Sequence, residues 1–539
     1  MVSRFVRRVR TSSGAVAAQL VTRQGRQVLG IEHVGSAHTD EELALLLAAA
    51  KARLMPGQYA LEVGAVQVVP ARMDDVADWT LPIDAPSSSS RSSRTRPAGE
   101  RRASAPAGRV VATSSQLLWR VLTDAYTRLG FDVLGDEAFR AMVLARIVEP
   151  TSKADSLRVL AELGTPAPGL RTLFRSLKRC RSNDYRDTLA KACAAFSAAA
   201  GGLSTLVMYD CTTLHFESGD EDDGPKGLRK VGMSKEHRVD PQVQVGLLVD
   251  PSGFPLGVHL FEGNTAETTT LLLVLRTFQA RHGITGMVVV ADAGMLSAGN
   301  LNAIEDAGFS FIVGSRITKA PYDLAEHFER HGDYFTDGQI LESVRAMGSG
   351  KHERDRRVVY QWSFQRSQRD NKTINAQIAR AEKVAAGKAP MARTRFLKVT
   401  GAERELNQKT IDRARQLSGL KGYVSNLDPA ALDGAGVIAA YHQLWQVEAS
   451  FRMTKSDLRA RPVFHHEREV IEAHLTVVFA SLAISRYLHA QTGISIKKLV
   501  QTLRVARSAT INVNGQRITL DPELTPPVAA IIDSLEKGH

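Results

Sequence analysis

Two runs of strand-forming residues each carry one aspartate where little else is polar. LSTLVMYDCTTLHFE (203–217) holds Asp210, and MVVVADAG (287–294) closes on Asp292. A carboxylate at the end or in the middle of a buried strand is costly unless it is paired, hydrogen-bonded or bound to a metal ion. An aspartate at a strand end is also an ordinary turn former, so neither position decides anything alone. Placed together they are more restrictive, because in one sheet the two strands can be neighbours. Like charges at that range are tolerated when divalent cations lie between them.

The surrounding pattern supplies such a sheet. VQVGLLVDPSGFPLGVHLFEGN (243–264) predicts a hairpin turning at Asp250–Gly253. A helix follows over 265–283, then the Asp292 strand, a helix over 297–308, and the strand FSFIVGS (309–315). Three consecutive strands, then helix, strand, helix and strand, describe a mixed sheet covered by helices, as in an RNase H-like core.

A third acid comes from much further along. YHQLWQVEASFRMTK (441–455) has no Gly or Pro and predicts one continuous helix. At about 100° per residue, Tyr441, Glu448 and Arg452 fall within roughly 40° of one another, with Lys455 nearby. Leu444, Val447, Phe451 and Leu458 form the adjacent apolar stripe. By itself this is equally an amphipathic helix with a solvated salt-bridge face. With the two aspartates it supplies a third oxygen donor. Three carboxylates without a His/Cys set favour Mg²⁺ or Mn²⁺ over zinc.

The remainder divides by composition. Residues 1–82 predict a small α+β module, with strands AVAAQLV and QVLGIEHV joined by a basic turn at 23–26, then a helix from about 40. Residues 83–109 are Ser/Pro/Gly-rich and arginine-rich, a disordered basic linker. Residues 110–202 predict helices ending in a crowd of Arg171, Arg175, Lys178, Arg179 and Arg181. This region is either a helix-turn-helix-like DNA reader or a basic-faced bundle. The core's first part is 203–315, and 316–420 reads as a β-rich insertion forming a separate subdomain. The core resumes over 421–495, where the apolar helix of 466–490 is structural packing, and 496–539 is a C-terminal tail with a possible role in dimerisation.

The net charge of +12 points to a large anionic partner such as nucleic acid. Aromatics at 6% argue against a single-strand binder built on base stacking. No apolar run is recognised as a membrane span and no secretory signal opens the chain, so the expected compartment is the cytoplasm, with the nucleoid when bound to DNA. Lys230, Lys235 and Arg238, following the acidic run 218–224, are candidates to line DNA.

At MYDCTTLHFE, GLRKVGMSKEHRVDPQVQVGLLVDPSGFPLG, FEGNTAETTT, VVVADAGMLSAGNLNAIEDAGFSFIVGSR and YHQLWQVEASFRMTKSDLRARPVFHHERE, the chain resembles insertion-sequence DDE transposases. The resemblance is to the insertion sequence four superfamily, in its sixteen-thirty-four-like group. It implies catalytic Asp210, Asp292 and Glu448 holding two Mg²⁺, replaceable by Mn²⁺, and a β-rich insertion before the glutamate. It also implies cleavage and strand transfer on double-stranded DNA, at inverted terminal repeats and target, by a homodimer in a synaptic complex. The superfamily's Tyr-Arg-Glu-Lys signature falls on Tyr441, Glu448 and Lys455, with Leu444 at the arginine position. Arg452 is the substitute candidate for that phosphate contact. Trp362, the insertion's one tryptophan, is a candidate for stacking a flipped base, against the alternative of packing on the sheet. An RNase H-like nuclease or resolvase, and a DNA-binding relic without catalysis, are the competing readings.

Overall fold

The computed structural model describes residues 2–10, 16–24, 27–37 and 109–537, apart from 201–204, 218–220, 223–226, 234–239, 285, 296, 391–393, 401–402 and 514–515. The chain divides into two compact units, Met1–Arg101 and Arg102–His539. In the first, β1 (Val2–Arg10), β2 (Val16–Gln24) and β3 (Gln27–Ala37) form an antiparallel meander. β2 and β3 are the two expected strands. β1 was not foreseen, because its sequence VSRFVRRVR has no clean alternation of apolar and polar residues to recognise. The expected helix from about 40 and the linker up to 108 lie outside the described residues.

The second unit opens with β4 (Arg109–Ser114) and five helices: α1 (Gln116–Arg128), α2 (Glu137–Val148), α3 (Ser156–Glu162), α4 (Leu170–Ser182) and α5 (Tyr185–Ala199). Asp136 caps α2, accepting from the backbone N–H groups of Ala138 and Phe139 at 3.1 Å each. Its other oxygen accepts from Ser176, Arg179 and Tyr185 at 2.7–3.0 Å. One buried carboxylate thus ties three helices together, and it removes Arg179 from the basic crowd available to a partner.

The sheet follows as the sequence pattern predicts. β5 (Leu206–His215), β6 (Gln242–Val249) and β7 (Pro255–Glu262) form an antiparallel meander. After α6 (Glu267–His282), β8 (Val288–Ala291) pairs parallel to β5; after α7 (Ala298–Asp306), β9 (Ser310–Ser315) pairs parallel to β8. The order β7-β6-β5-β8-β9 is the RNase H-like arrangement.

The segment 316–420 is not a separate all-β body. After the short helices α8 (Ala320–Asp323) and α9 (Ala325–His331), β10 (Ile340–Met347) and β11 (Arg354–Trp362) run in the main sheet. They are joined to it through β14 (Leu420–Ser425), giving eight strands in the order β10-β11-β14-β9-β8-β5-β6-β7. The apolar stretch of β11 is buried, so its strand signal reports a central position in the core sheet. What stands apart is mainly helical. α10 (Phe364–Ala385), the hairpin β12 (Leu397–Thr400)–β13 (Glu403–Leu406) and α11 (Gln408–Gln416) share a small core of Ile374, Ala381, Phe396, Ile411 and Ala414.

The stretch 441–455 is two helices rather than one. α12 (Gly434–His442) ends in a tight turn at Gln443–Leu444, and α13 (Trp445–Ser456) restarts from it. The i→i+3 bonds Leu444 N–Tyr441 O (3.0 Å) and Val447 N–Leu444 O (3.1 Å) mark the break. No Gly or Pro announces it. α14 (Arg468–Thr492) then runs through the core against α2 and α4. By length and composition this helix could cross a membrane, a property the sequence reading overlooked, but 89% of its apolar window is buried inside the fold. The last residues, expected as a tail, return to the helical layer. α15 (Ile496–Arg504) places Arg504 against Glu149 and Glu162 at 2.9 and 2.5 Å. β15 (Ser508–Val513) and β16 (Gln516–Leu520) complete a sheet with β4, and α16 (Pro526–Lys537) closes the chain.

Candidate active site

The parallel register of β5 and β8 pairs Leu206 with Val288, Val207 with Val289 and Met208 with Val290. Continued by two residues, that offset sets Asp210 level with Asp292 on neighbouring chains, which run about 4.8 Å apart. Alternation places both on the face of Met208 and Val290, while Val207, Tyr209, Cys211, Val289 and Ala291 fill the core beneath the opposite face. Each aspartate has the same local geometry. Asp210 Oδ1 accepts the N–H of Cys211 at 2.8 Å, and Asp292 Oδ1 accepts that of Ala293 at 2.7 Å. The two carboxylates are therefore held by their own backbones.

The third acid reaches this face on α13. Phe451 and Thr454 of that helix line one small apolar cavity together with Thr212, Leu214, Val245 and Leu247 of β5 and β6. The hairpin at Asp250–Gly253 anchors it. Asp250 Oδ1 accepts from Ser252 N and Phe254 N, and Gly253 takes the positive φ of +82° that the turn requires. The Gly253 carbonyl then accepts the Ser450 hydroxyl at 3.1 Å, and Arg486 of α14 holds Gln446 at 2.7 Å. Glu448 is exposed on the resulting helix, with Arg452 one turn further on and Lys455 partly buried beyond it. The Arg452 guanidinium makes no ion pair among the described residues.

Tyr441, at the end of α12, connects the parts. Its hydroxyl donates to Asp292 Oδ1 at 3.2 Å, and its ring meets Tyr423 of β14 edge-on at 4.9 Å. Burial, and then the Asp292 carboxylate, push the Tyr441 phenol well above its ordinary pKa, so it stays a donor. Gly314 on β9 makes room for it: a Cβ there would lie 2.7 Å from the hydroxyl and 3.1 Å from Ala293 Cβ. On the other side of the ring stands Lys421 of β14, its ammonium 4.5 Å from the ring centre. Burial first, then the Arg366 guanidinium of α10, lower the Lys421 pKa; Asp292 and Glu448 oppose that shift. His442 is lowered by burial, then by Lys421 and Arg366.

Lys421 and Arg366 were absent from the sequence-based candidates. Lys421 carries the signal that marked the aspartates, one charge in an otherwise apolar strand, LKGYVS. Arg366 stands in a helix rich in charge, where nothing sets it apart.

The other predicted DNA contacts are placed variously. Lys230 donates to the Asp222 carbonyl at 2.5 Å and Arg229 pairs with the Asp222 carboxylate at 2.6 Å, so the acidic run fastens the basic segment that follows it. Lys235 and Arg238 lie outside the described residues. The Trp362 indole stacks on Phe335 with centroids 6.0 Å apart and donates to the Ser418 carbonyl at 3.0 Å, a packing role. On α4, Arg171, Arg175 and Lys178 are exposed around Phe174.

Among the described residues no three His, Cys, Asp or Glu side chains gather closely enough to hold a metal ion. The aspartate pair forms the base of such a site, and the Glu448 charge acts on the same Tyr441 and Lys421 that Asp292 acts on. The donor set is nonetheless all carboxylate oxygen, which fits a hard divalent cation.

The family described as transposase DDE domain matches residues 203–484, a span that contains all three acids. No curated protein matches the chain. Among solved structures, a cryo-EM structure of a piggyBac transposase synaptic complex with hairpin DNA aligns over 71% of this chain and 70% of that one, with a TM-score of 0.35 and 9% identity. Because the matched family domain occupies more than half of its length, the chain belongs to the DDE transposase family.

Proposed function

We propose that this DDE transposase, of the sixteen-thirty-four-like group of the insertion sequence four superfamily, binds the inverted terminal repeats of its element and cuts and joins DNA there. Asp210, Asp292 and Glu448 are assigned as ligands of two Mg²⁺ ions, for which Mn²⁺ substitutes. The observation that carries this reading is the level placement of Asp210 and Asp292 on adjacent parallel strands, on the face that the Glu448 helix covers. Held by these carboxylates, the ions would supply activation of an attacking water or 3′-hydroxyl and stabilisation of the departing oxygen in an in-line displacement. The chain's own residues hold the geometry. Backbone N–H groups fix each aspartate, the Tyr441 hydroxyl orients Asp292, and the Asp250 turn seats α13. Arg452 and Lys455, on the same helix as Glu448, are assigned to the DNA backbone, and two protomers pair two ends. Because no three acids gather closely enough to hold an ion among the described residues, the assignment requires the three carboxylates to draw together when DNA and ions enter.

Purified protein, a labelled terminal-repeat fragment and Mg²⁺ test the proposal. Wild type is expected to nick and join the fragment, with Asp210→Ala inactive but still shifting it in a gel. Cutting without joining would favour a nuclease. A gel shift without cutting by either protein would contradict the catalytic reading.

A further inference from the structure

Lys421 lies within electrostatic reach of Asp292 and Glu448, Arg366 lies within reach of Lys421, and neither cation has a hydrogen-bond acceptor or ion-pair partner among the described residues. The Lys421 ammonium rests over two rings, at 4.5 Å from the centre of Tyr441 and 5.5 Å from that of Tyr423. Ring faces attract a cation but accept none of its three N–H donors in the manner of an oxygen. Its side chain is partly buried, where an ammonium without an acceptor is costly. Arg366 brings a second positive charge from the first turn of α10.

Their closeness is fixed by the fold. The start of α10 is fastened to the residues leading into β14. Asp370 Oδ2 accepts the Gly419 N–H at 3.0 Å, and the hydroxyls of Ser367 and Ser418 are 3.2 Å apart. The Trp362 indole, bonded to the Ser418 carbonyl, secures the same junction. Two cations are thereby held together at a rigid corner, one aromatic ring away from Asp292. Such a corner lacks a bonded anion among the described residues. The Asp292 and Glu448 charges reach Lys421, but neither carboxylate forms a hydrogen bond or ion pair with its ammonium among the described residues, and the Tyr441 phenol lies between Lys421 and Asp292.

We infer that Lys421 and Arg366 form a phosphodiester subsite, holding the non-bridging oxygens of the DNA strand whose backbone passes Asp292. The inference rests on the transposase reading and assigns that site its phosphate-holding cations. It gives segment 316–420 a task, since α10 carries one half of the subsite and secures the strand that carries the other.

The test uses full-length protein and the labelled end fragment, comparing wild type, Asp292→Asn, Lys421→Met, Lys421→Arg and Arg366→Met. Two quantities are read: the cleavage rate at saturating DNA and Mg²⁺, and the slope of log affinity against log salt. Lys421→Met is expected to slow cleavage about 100-fold and to reduce the slope by about 0.9, the loss of one phosphate contact. Lys421→Arg is expected to restore the slope and most of the rate. Arg366→Met, at an exposed position where folding is not at risk, should reduce the slope by a similar amount. The subsite is overturned if both methionine variants keep the wild-type slope and cut within threefold of wild type. It is also overturned if Lys421→Arg fails as badly as Lys421→Met while both melt like the parent. Were wild type to cut no better than Asp292→Asn, the catalytic reading would fall, and the salt slopes would still decide the subsite.

Discussion

The carboxylates and the cations of this site stand on opposite sides of β9. To one side, β8 and β5 carry Asp292 and Asp210, level by strand register and each fixed by its own backbone. To the other, β14 carries Lys421 and the adjoining helix α10 carries Arg366. β9 itself contributes Gly314, and through that gap the Tyr441 phenol reaches Asp292. The acidic half is held by its own backbone and by the Tyr441 hydroxyl. The basic half is held through the α10–β14 junction, and neither of its cations has a bonded anion among the described residues. Glu448, exposed on α13, acts electrostatically on both Tyr441 and Lys421.

The largest expected effect separates the aspartates from the glutamate. Asp210→Asn, Asp292→Asn and Glu448→Gln should each lower cleavage at least about 1,000-fold, roughly 4 kcal/mol of barrier. Titration with Mn²⁺ in the absence of DNA should distinguish them. Either aspartate change is expected to abolish binding, and Glu448→Gln to leave most of it. Equal losses in all three would mean that Glu448 is already part of the ion site.

The next effect concerns the phenol between the halves. Tyr441→Phe removes a hydrogen bond to a carboxylate, worth about 1.5–3 kcal/mol, so cleavage should fall about 10- to 100-fold. Gly314→Ala should mimic it by displacing the same hydroxyl. In the double variant the losses should not add, because both act on one contact. Additive losses would show that Gly314 matters for the sheet rather than for Tyr441.

Much of the acidic half was legible in the sequence. A lone aspartate in an apolar strand is conspicuous, and the 82-residue offset between Asp210 and Asp292 is the register offset of β5 and β8. The hairpin at Asp250–Gly253 was legible for the same local reason, a turn chemistry that leaves few alternatives. The basic half was not. β10 and β11 look like strands of any sheet, and nothing local says that they extend the core sheet through β14. The break at Gln443–Leu444 was hidden because each residue there is compatible with a continuous helix. Helical spacing brought Tyr441 and Glu448 to one face. In the fold, Tyr441 belongs to α12 and meets Asp292 through a turn that tertiary packing imposes.

A smaller effect is expected from pH. His442 lies below its ordinary pKa because of burial, then Lys421 and Arg366. A phosphate on those two cations relieves the repulsion and raises the His442 pKa in the complex. The complex then holds more protons than free protein, so DNA affinity should rise as pH falls below about 6.5, by at most tenfold per unit for one proton. His442→Gln should flatten the profile; an unchanged profile in that variant would place the titrating group elsewhere. Smallest of all, Ser450→Ala removes the bond that seats α13 on Gly253, about 1 kcal/mol. It should lower the melting temperature by 1–2 °C or so and raise the Mg²⁺ concentration needed for half-maximal cleavage. No change in that requirement would mean that the hairpin does not position the Glu448 helix.

The most direct test of the whole account is an anomalous-diffraction map of crystals of the end-DNA complex soaked in Mn²⁺. The account predicts peaks between Asp210 and Asp292 with Glu448 oxygens within about 2.0–2.3 Å, near the range for small hard cations. Peaks away from the two aspartates, or a glutamate still turned from them with DNA in place, would contradict it.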